Sequence, residues 1–108
     1  MADPDIRIAV APAEGGTRIE LRGELDVATA PELQRVADEV LDASGDVWLD
    51  CSALTFADSS GLNSLTRLAL ALHAQERSLI LTDVRPVVRQ AMDVLQITGL
   101  FELGEREA

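Results

Sequence analysis

The chain has no lysine and no tyrosine, and it has one cysteine and one histidine. Each of these shortages removes a class of function. Cys51 has no second cysteine to pair with, so no intrachain disulfide can form. At the end of a strand-like run, it reads as a structural thiol. His73 has no cysteine or second histidine with which to share a metal, and it reads as a solvated or half-buried helix residue. A phosphate-binding loop of the form G-x-x-x-x-G-K-[ST] needs a lysine, which this chain lacks. All nine basic residues are arginine, and the net charge is −10. With no basic block, a nucleic-acid partner is not expected, because its phosphates would be repelled. The three aromatics, Trp48, Phe56 and Phe101, offer no stacking platform for bases. No apolar run approaches the roughly 20 residues of a membrane span, so no membrane insertion is expected. The opening Met1-Ala2-Asp3-Pro4-Asp5 is acidic and lacks the apolar segment of a signal peptide. A cytoplasmic location is therefore expected. No cofactor or metal pattern is present.

What remains is a chain of 108 residues, 47% hydrophobic. That suits one domain with a real core. Residues 1–5 read as a frayed terminus. Ile6–Val10 and Thr17–Gly23 alternate apolar and polar residues around Glu14-Gly15-Gly16, as a hairpin does. Gly23-Glu24-Leu25-Asp26 ends the second strand. Thr29 and Glu32 have capping-box spacing, with Pro31 tolerated in the first turn. Leu33, Val36, Ala37, Val40 and Leu41 then form one helix face, stopped at Ser44-Gly45.

Val47-Trp48-Leu49 enters a buried strand running to about Cys51, and residues 52–58 read as a connection. A second helix spans about Ser60 to Gln75. Leu62, Leu65, Leu68, Ala69 and Leu72 lie on its buried face, with Asn63, Arg67, Ala74 and Arg77 opposite. Leu70 falls on that outer side and hints at a contact surface. Ser78–Thr82 reads as a short strand. A third helix begins near Asp83, with Pro86 in its first turn. Val84, Val87, Val88, Ala91 and Leu95 form its inner face, and Thr98-Gly99 ends it. Leu100–Leu103 could be a last strand, and 104–108 a charged tail. The alternation predicts an α/β domain with a mixed, mostly parallel sheet, an antiparallel N-terminal edge strand and about three helices.

The chemistry concentrates at Asp58-Ser59-Ser60-Gly61, where a strand gives way to a helix. A serine nucleophile needs a base within hydrogen-bond reach. His73 lies more than three turns further on, roughly 20 Å away at 1.5 Å per residue. Asp26 and Asp58 could meet at the C-terminal rim of parallel strands, but nothing else suggests acid–base work. Two readings stay open. The corner is a simple helix cap, or it carries a modifiable serine. A phosphate on Ser59 would add about −1.5 to −2 charges beside free helix N–H groups.

The chain resembles a STAS domain of the anti-sigma factor antagonist type. The matching segments are Gly23-Glu24-Leu25-Asp26, Leu49-Asp50-Cys51-Ser52, Phe56-Ala57-Asp58-Ser59-Ser60-Gly61-Leu62 and Thr98-Gly99-Leu100-Phe101. The likeness runs from about Ile6 to Leu103. It implies a non-enzymatic regulator phosphorylated on Ser59 rather than Ser60. It places Asp26, Asp58, Ser60, Gly61, Leu62 and Asn63 on a partner-binding surface. Asp58 would shape the site, and Gly61 would let a partner's backbone approach closely. Asn63 stands where the family often has a second glycine. The implied partners are an anti-sigma factor of the serine-kinase type, bound by the unphosphorylated chain to free a sigma factor, and a serine phosphatase. Another reading is the STAS regulatory subunit of a lipid or organic-solvent-tolerance transporter. A small nucleotide-binding STAS domain fits less well without lysine.

Overall fold

The computed structural model describes residues 6–104. The frayed terminus expected at 1–5 and the tail at 105–108 lie outside the described residues. Five strands form one sheet in the order β1-β2-β3-β4-β5. They are β1 (Ile6–Ala13), β2 (Gly16–Leu25), β3 (Asp46–Ala57), β4 (Leu79–Thr82) and β5 (Glu102–Gly104). Three helices, α1 (Ala30–Leu41), α2 (Ser59–Ala74) and α3 (Pro86–Val94), alternate with strands β2 to β5. β1 is antiparallel to β2, and every other pair is parallel. This is the α/β arrangement that the alternation predicts.

The core lies between the sheet and its helices. Ile19, Leu21 and Leu25 of β2, Leu49 and Leu54 of β3, and Leu62, Leu65 and Leu72 of α2 are all fully buried. Leu33, Val36, Ala37 and Val40 supply the buried face of α1, which packs on α2. Cys51 is buried within β3, its thiol 3.6 Å from the Leu49 carbonyl. Burial, helped by the charges of Asp50 and Asp83, pushes that thiol up to about 12. It is a structural side chain.

Five local expectations are corrected. Residues 52–57 continue β3 rather than forming a connection. They pair with Arg22–Leu25, with Leu54 and Ala57 buried. Two register shifts leave extra residues on β3, so the period-two pattern that marks a strand is lost. The capping box on α1 does not form. Thr29 Oγ1 donates to the Glu24 carbonyl (2.8 Å), while Glu32 pairs with Arg35 (2.8 Å).

Arg77, expected on an outer face, is 8% exposed. Its guanidinium donates to the carbonyls of Val40 (2.8 Å) and Gly45 (2.6 Å), tying the end of α1 to the end of α2. The helix stops make a fourth correction. α2 and α3 end on Glu76 and Gln96, both with positive φ. The next N–H reaches back to Leu72 and Met92 respectively, closing each helix without glycine. Thr98-Gly99 instead forms part of a separate 3-10 turn, Thr98–Leu100, and α1 stops at Leu41, ahead of Ser44-Gly45.

The fifth correction concerns α3. Val88 and Met92 are its buried residues. Val87 and Leu95, expected inside, are 53% and 43% exposed. Burial centres on Val88 and Met92, with Val84 and Ala91 partly buried against the core as expected, on the side of α3 that meets β3.

Candidate functional site

The site begins with the end of β2. The Leu25 carbonyl accepts the Asp58 N–H at 3.1 Å, which fastens the β3–α2 corner to β2. Gly61 lies against the same peptide. A Cβ on Gly61 would fall 2.2 Å from the Leu25 oxygen. Only glycine allows this approach, so the first turn of α2 sits directly on the strand end. This revises the part expected of two residues. Gly61 is buried and makes room for Leu25 rather than for a partner's backbone. Leu62 is fully buried, so its side chain belongs to the core and offers no contact surface.

Asp58 is the N-cap of α2. Its backbone is extended, and its carboxylate accepts the Gly61 N–H at 2.9 Å. The Asp58 carbonyl accepts the Leu62 N–H at 2.9 Å. Ser59 and Ser60 are the first two helical residues and are exposed. Their N–H groups precede any i−4 partner within the helix and face its positive end. Asn63, one turn on, is exposed as well.

Asp26 follows Leu25 directly. Its carboxylate accepts the N–H groups of Ala28 and Thr29, each at 3.0 Å. Its carbonyl accepts the Ala30 N–H at 2.8 Å. Asp26 thus orders the turn into α1, as Asp58 orders the turn into α2. Each carboxylate serves backbone N–H groups, an arrangement that suits shaping a surface better than exchanging protons.

Grooves flank the start of α2. One, of about 440 Å³, lies toward α1 between Val27, Pro31, Ser60, Asn63 and Arg67. A second, of about 410 Å³, includes Ser59, Thr66 and Ile97. A third, of about 360 Å³, joins Ala57, Asp58 and Ser59 to Val87, Ala91, Val94 and Leu95 of the third helix and its end. Ser59 borders the second and third. Val27, Val87, Val94 and Leu95 were not expected on this surface. Val87 and Leu95 read as core in the sequence, and Val27 and Val94 were assigned to no face.

His73 lies in the last turn of α2 and Ser59 in the first, so no serine–histidine pair is assembled. Among the described residues there is no group of three or more histidine, cysteine or acidic side chains that could hold a metal. No helix among them is long and apolar enough to cross a membrane.

Comparison with known proteins agrees with this architecture. The family model described as "Mlab, STAS domain" matches residues 8–103. An anti-sigma-B factor antagonist of Staphylococcus aureus is 29% identical over 88 residues, covering 81% of this chain and 82% of the relative. The crystal structure of an anti-sigma factor antagonist from Mycobacterium paratuberculosis superposes with a TM-score of 0.79 at 25% identity, covering 95% of this chain and 89% of that one. The Bacillus cell fate determinant SpoIIAA in its phosphorylated form shares the fold, with a TM-score of 0.72 at 19% identity over 94% of this chain and 92% of that one. The mixed five-stranded sheet, the glycine-seated corner at Asp58–Gly61 and the family match over residues 8–103 together show that the chain belongs to the STAS-domain family.

Proposed function

We propose that the chain is an anti-sigma factor antagonist working as a phosphorylation-controlled partner switch. The observation that carries this reading is the division of labour at the head of α2. Asp58 caps the helix, so the exposed Ser59 beside it is not needed for capping. A hydroxyl that the fold does not use can be modified without unfolding the domain. The names of the relatives and the phosphorylated state of the Bacillus fold neighbour support the same reading.

In this reading the unphosphorylated chain binds an anti-sigma factor that is also a serine kinase, and a sigma factor is freed. The kinase transfers the γ-phosphoryl group of ATP to Ser59 Oγ. The hydroxyl proton is lost and ADP remains. The phosphate brings about −1.5 to −2 charges next to Asp58, and the complex separates. A serine phosphatase hydrolyses the ester with water, returning the hydroxyl and inorganic phosphate. The chain itself catalyses nothing and acts in the cytoplasm. Asp26, Asp58, Ser60 and Asn63 form the docking rim, with Gly61 and Leu62 holding it from beneath.

The test is incubation with purified kinase-type anti-sigma factors from the genome that encodes the chain, with ATP. One phosphate is expected, located on Ser59 by mass spectrometry. Ser59→Ala abolishes labelling, and Ser59→Asp weakens binding in calorimetry. Persistent labelling of Ser59→Ala, or unchanged affinity of Ser59→Asp, overturns the assignment. Recovery of a transporter ATPase, with no anti-sigma factor bound, would favour the transporter-subunit reading.

A further inference from the structure

Strand order along the sheet is chain order, so the crossovers through α1, α2 and α3 all step in one direction. Parallel crossovers are right-handed, which puts the three helices on one face of the sheet. The packing agrees, because α2 contacts α1 and also the 3-10 turn Thr98–Leu100, which in turn contacts α3. The fold therefore has two layers, and the other face of the sheet has no layer over it among the described residues. The strand registers fix what that face carries. On β2 the core takes Ile19, Leu21 and Leu25, so Arg18, Glu20, Arg22 and Glu24 point the other way. Their partners on β3 are Trp48, Asp50, Ala53 and Phe56. Trp48 pairs onward with Ile80 of β4, and Ile80 with Glu102 of β5. Two of the chain's three aromatic residues thus lie on the uncovered face, Phe56 at 44% exposed and Trp48 partly exposed. The charges of this face are divided. β1 and β2 bring Arg7, Arg18 and Arg22 against Glu20 and Glu24, whereas β3 to β5 bring Asp50 and Glu102 and no cation. Arg18 meets Asp50 at the seam, at 2.9 Å.

We propose that this uncovered face packs against the same face of a second copy of the chain, with the two sheets stacked inside and the helices outside. A two-fold axis along the strands lays β1 and β2 of one copy over β4 and β5 of the other. The arginine-bearing half then meets the carboxylate-bearing half twice, which is local charge complementarity of the face with itself. β3, with Trp48, lies along the axis against its own counterpart. Stacked sheets sit about 10 Å apart, a gap that side chains of this size fill by interdigitating. The contact is small. Five strands about 4.8 Å apart and about eight residues long cover at most roughly 500 Å², against about 800 Å² per partner in a standard interface. The dimer is accordingly weak and reversible. α2 lies on the other side of the sheet, so the dimer leaves Ser59 at its head open, and the pairing does not depend on the switch reading.

Trp48 is the only tryptophan, so its emission reports on this face alone. The experiment follows the purified full chain from about 1 μM to about 1 mM by sedimentation equilibrium and by Trp48 fluorescence. A dimer is expected at the upper end, with emission moving to shorter wavelength and acrylamide quenching falling as it forms. Two variants locate the interface. Ala11 is exposed on β1 beside Arg18, so Ala11→Glu folds, which circular dichroism checks, and sets a carboxylate opposite the carboxylate-bearing half of the other copy. It is expected to weaken the dimer roughly tenfold or more. Leu70 is 53% exposed on the helix layer, and Leu70→Glu should stay within about twofold of the parent. A chain that remains a monomer at about 1 mM overturns the proposal. So does a dimer that leaves Trp48 emission unchanged. A dimer that Leu70→Glu separates and Ala11→Glu does not overturns it as well, because its interface then lies on the helices.

Discussion

Gly61 is the residue on which the site's geometry turns. A methyl group there would meet the Leu25 carbonyl oxygen at 2.2 Å, a backbone atom held by its own strand pairing. Relief requires α2 to lift from β2, which would disturb Leu62 beneath it. Gly61→Ala is expected to cost about 3 kcal/mol or more in urea unfolding. A loss near zero would show that the corner is loose. Cys51 makes a different kind of prediction. Its folded pKa of about 12 lies above the ordinary value of 9.0. Below pH 9 the thiol is neutral in both states, and its contribution to stability is fully present. As pH rises from about 9 toward 12, the unfolded chain loses the proton first and stability falls. With no lysine and no tyrosine, that window holds few other titrations. The urea midpoint should therefore decline above pH 9, and Cys51→Ala should flatten that decline. An equally steep decline in the variant would place its cause elsewhere.

At the scale of elements, the packing of α1 on α2 is reinforced by a side chain beyond the end of α2. Arg77 donates to the Val40 carbonyl at 2.8 Å, which also accepts the Ala43 N–H at 3.1 Å, and to the Gly45 carbonyl at 2.6 Å. Arg77→Met keeps the buried stem but removes the guanidinium donors to the Val40 and Gly45 carbonyls. A loss of about 2–4 kcal/mol in thermal or urea unfolding is expected, and Arg77→Lys should restore only part of it. A loss below about 1 kcal/mol would mean that water replaces the guanidinium. Sequence pattern served the elements unevenly. The buried faces of α1 and α2 were legible because both helices lie across the sheet and meet the core along one stripe. The second half of β3 was not legible, since its bulges erase alternation. The inner face of α3 was partly misread, because Val87 and Leu95 look like core residues until the helix is placed at the rim.

For the whole molecule, the division follows the range of the forces involved. The sequence by itself determined the class of fold, through the order of short periodic segments. It also marked Asp58-Ser59-Ser60-Gly61 as the start of a helix, from residue types that cap. The structure assigned the cap to Asp58 and left Ser59 and Ser60 exposed. Contacts between distant segments were decided only by tertiary structure. Arg77 serves carbonyls 32 to 37 residues away. Gly61 fits a peptide of β2, and Val87, Val94 and Leu95 are left at the surface by the position of α3. Neither Arg77 nor Gly61 has a local period to announce its partner, and the period of α3 does not say which of its apolar residues are covered. Apolar composition fixes how much surface is to be buried, and only the packed chain decides which apolar side chains are left over for a partner.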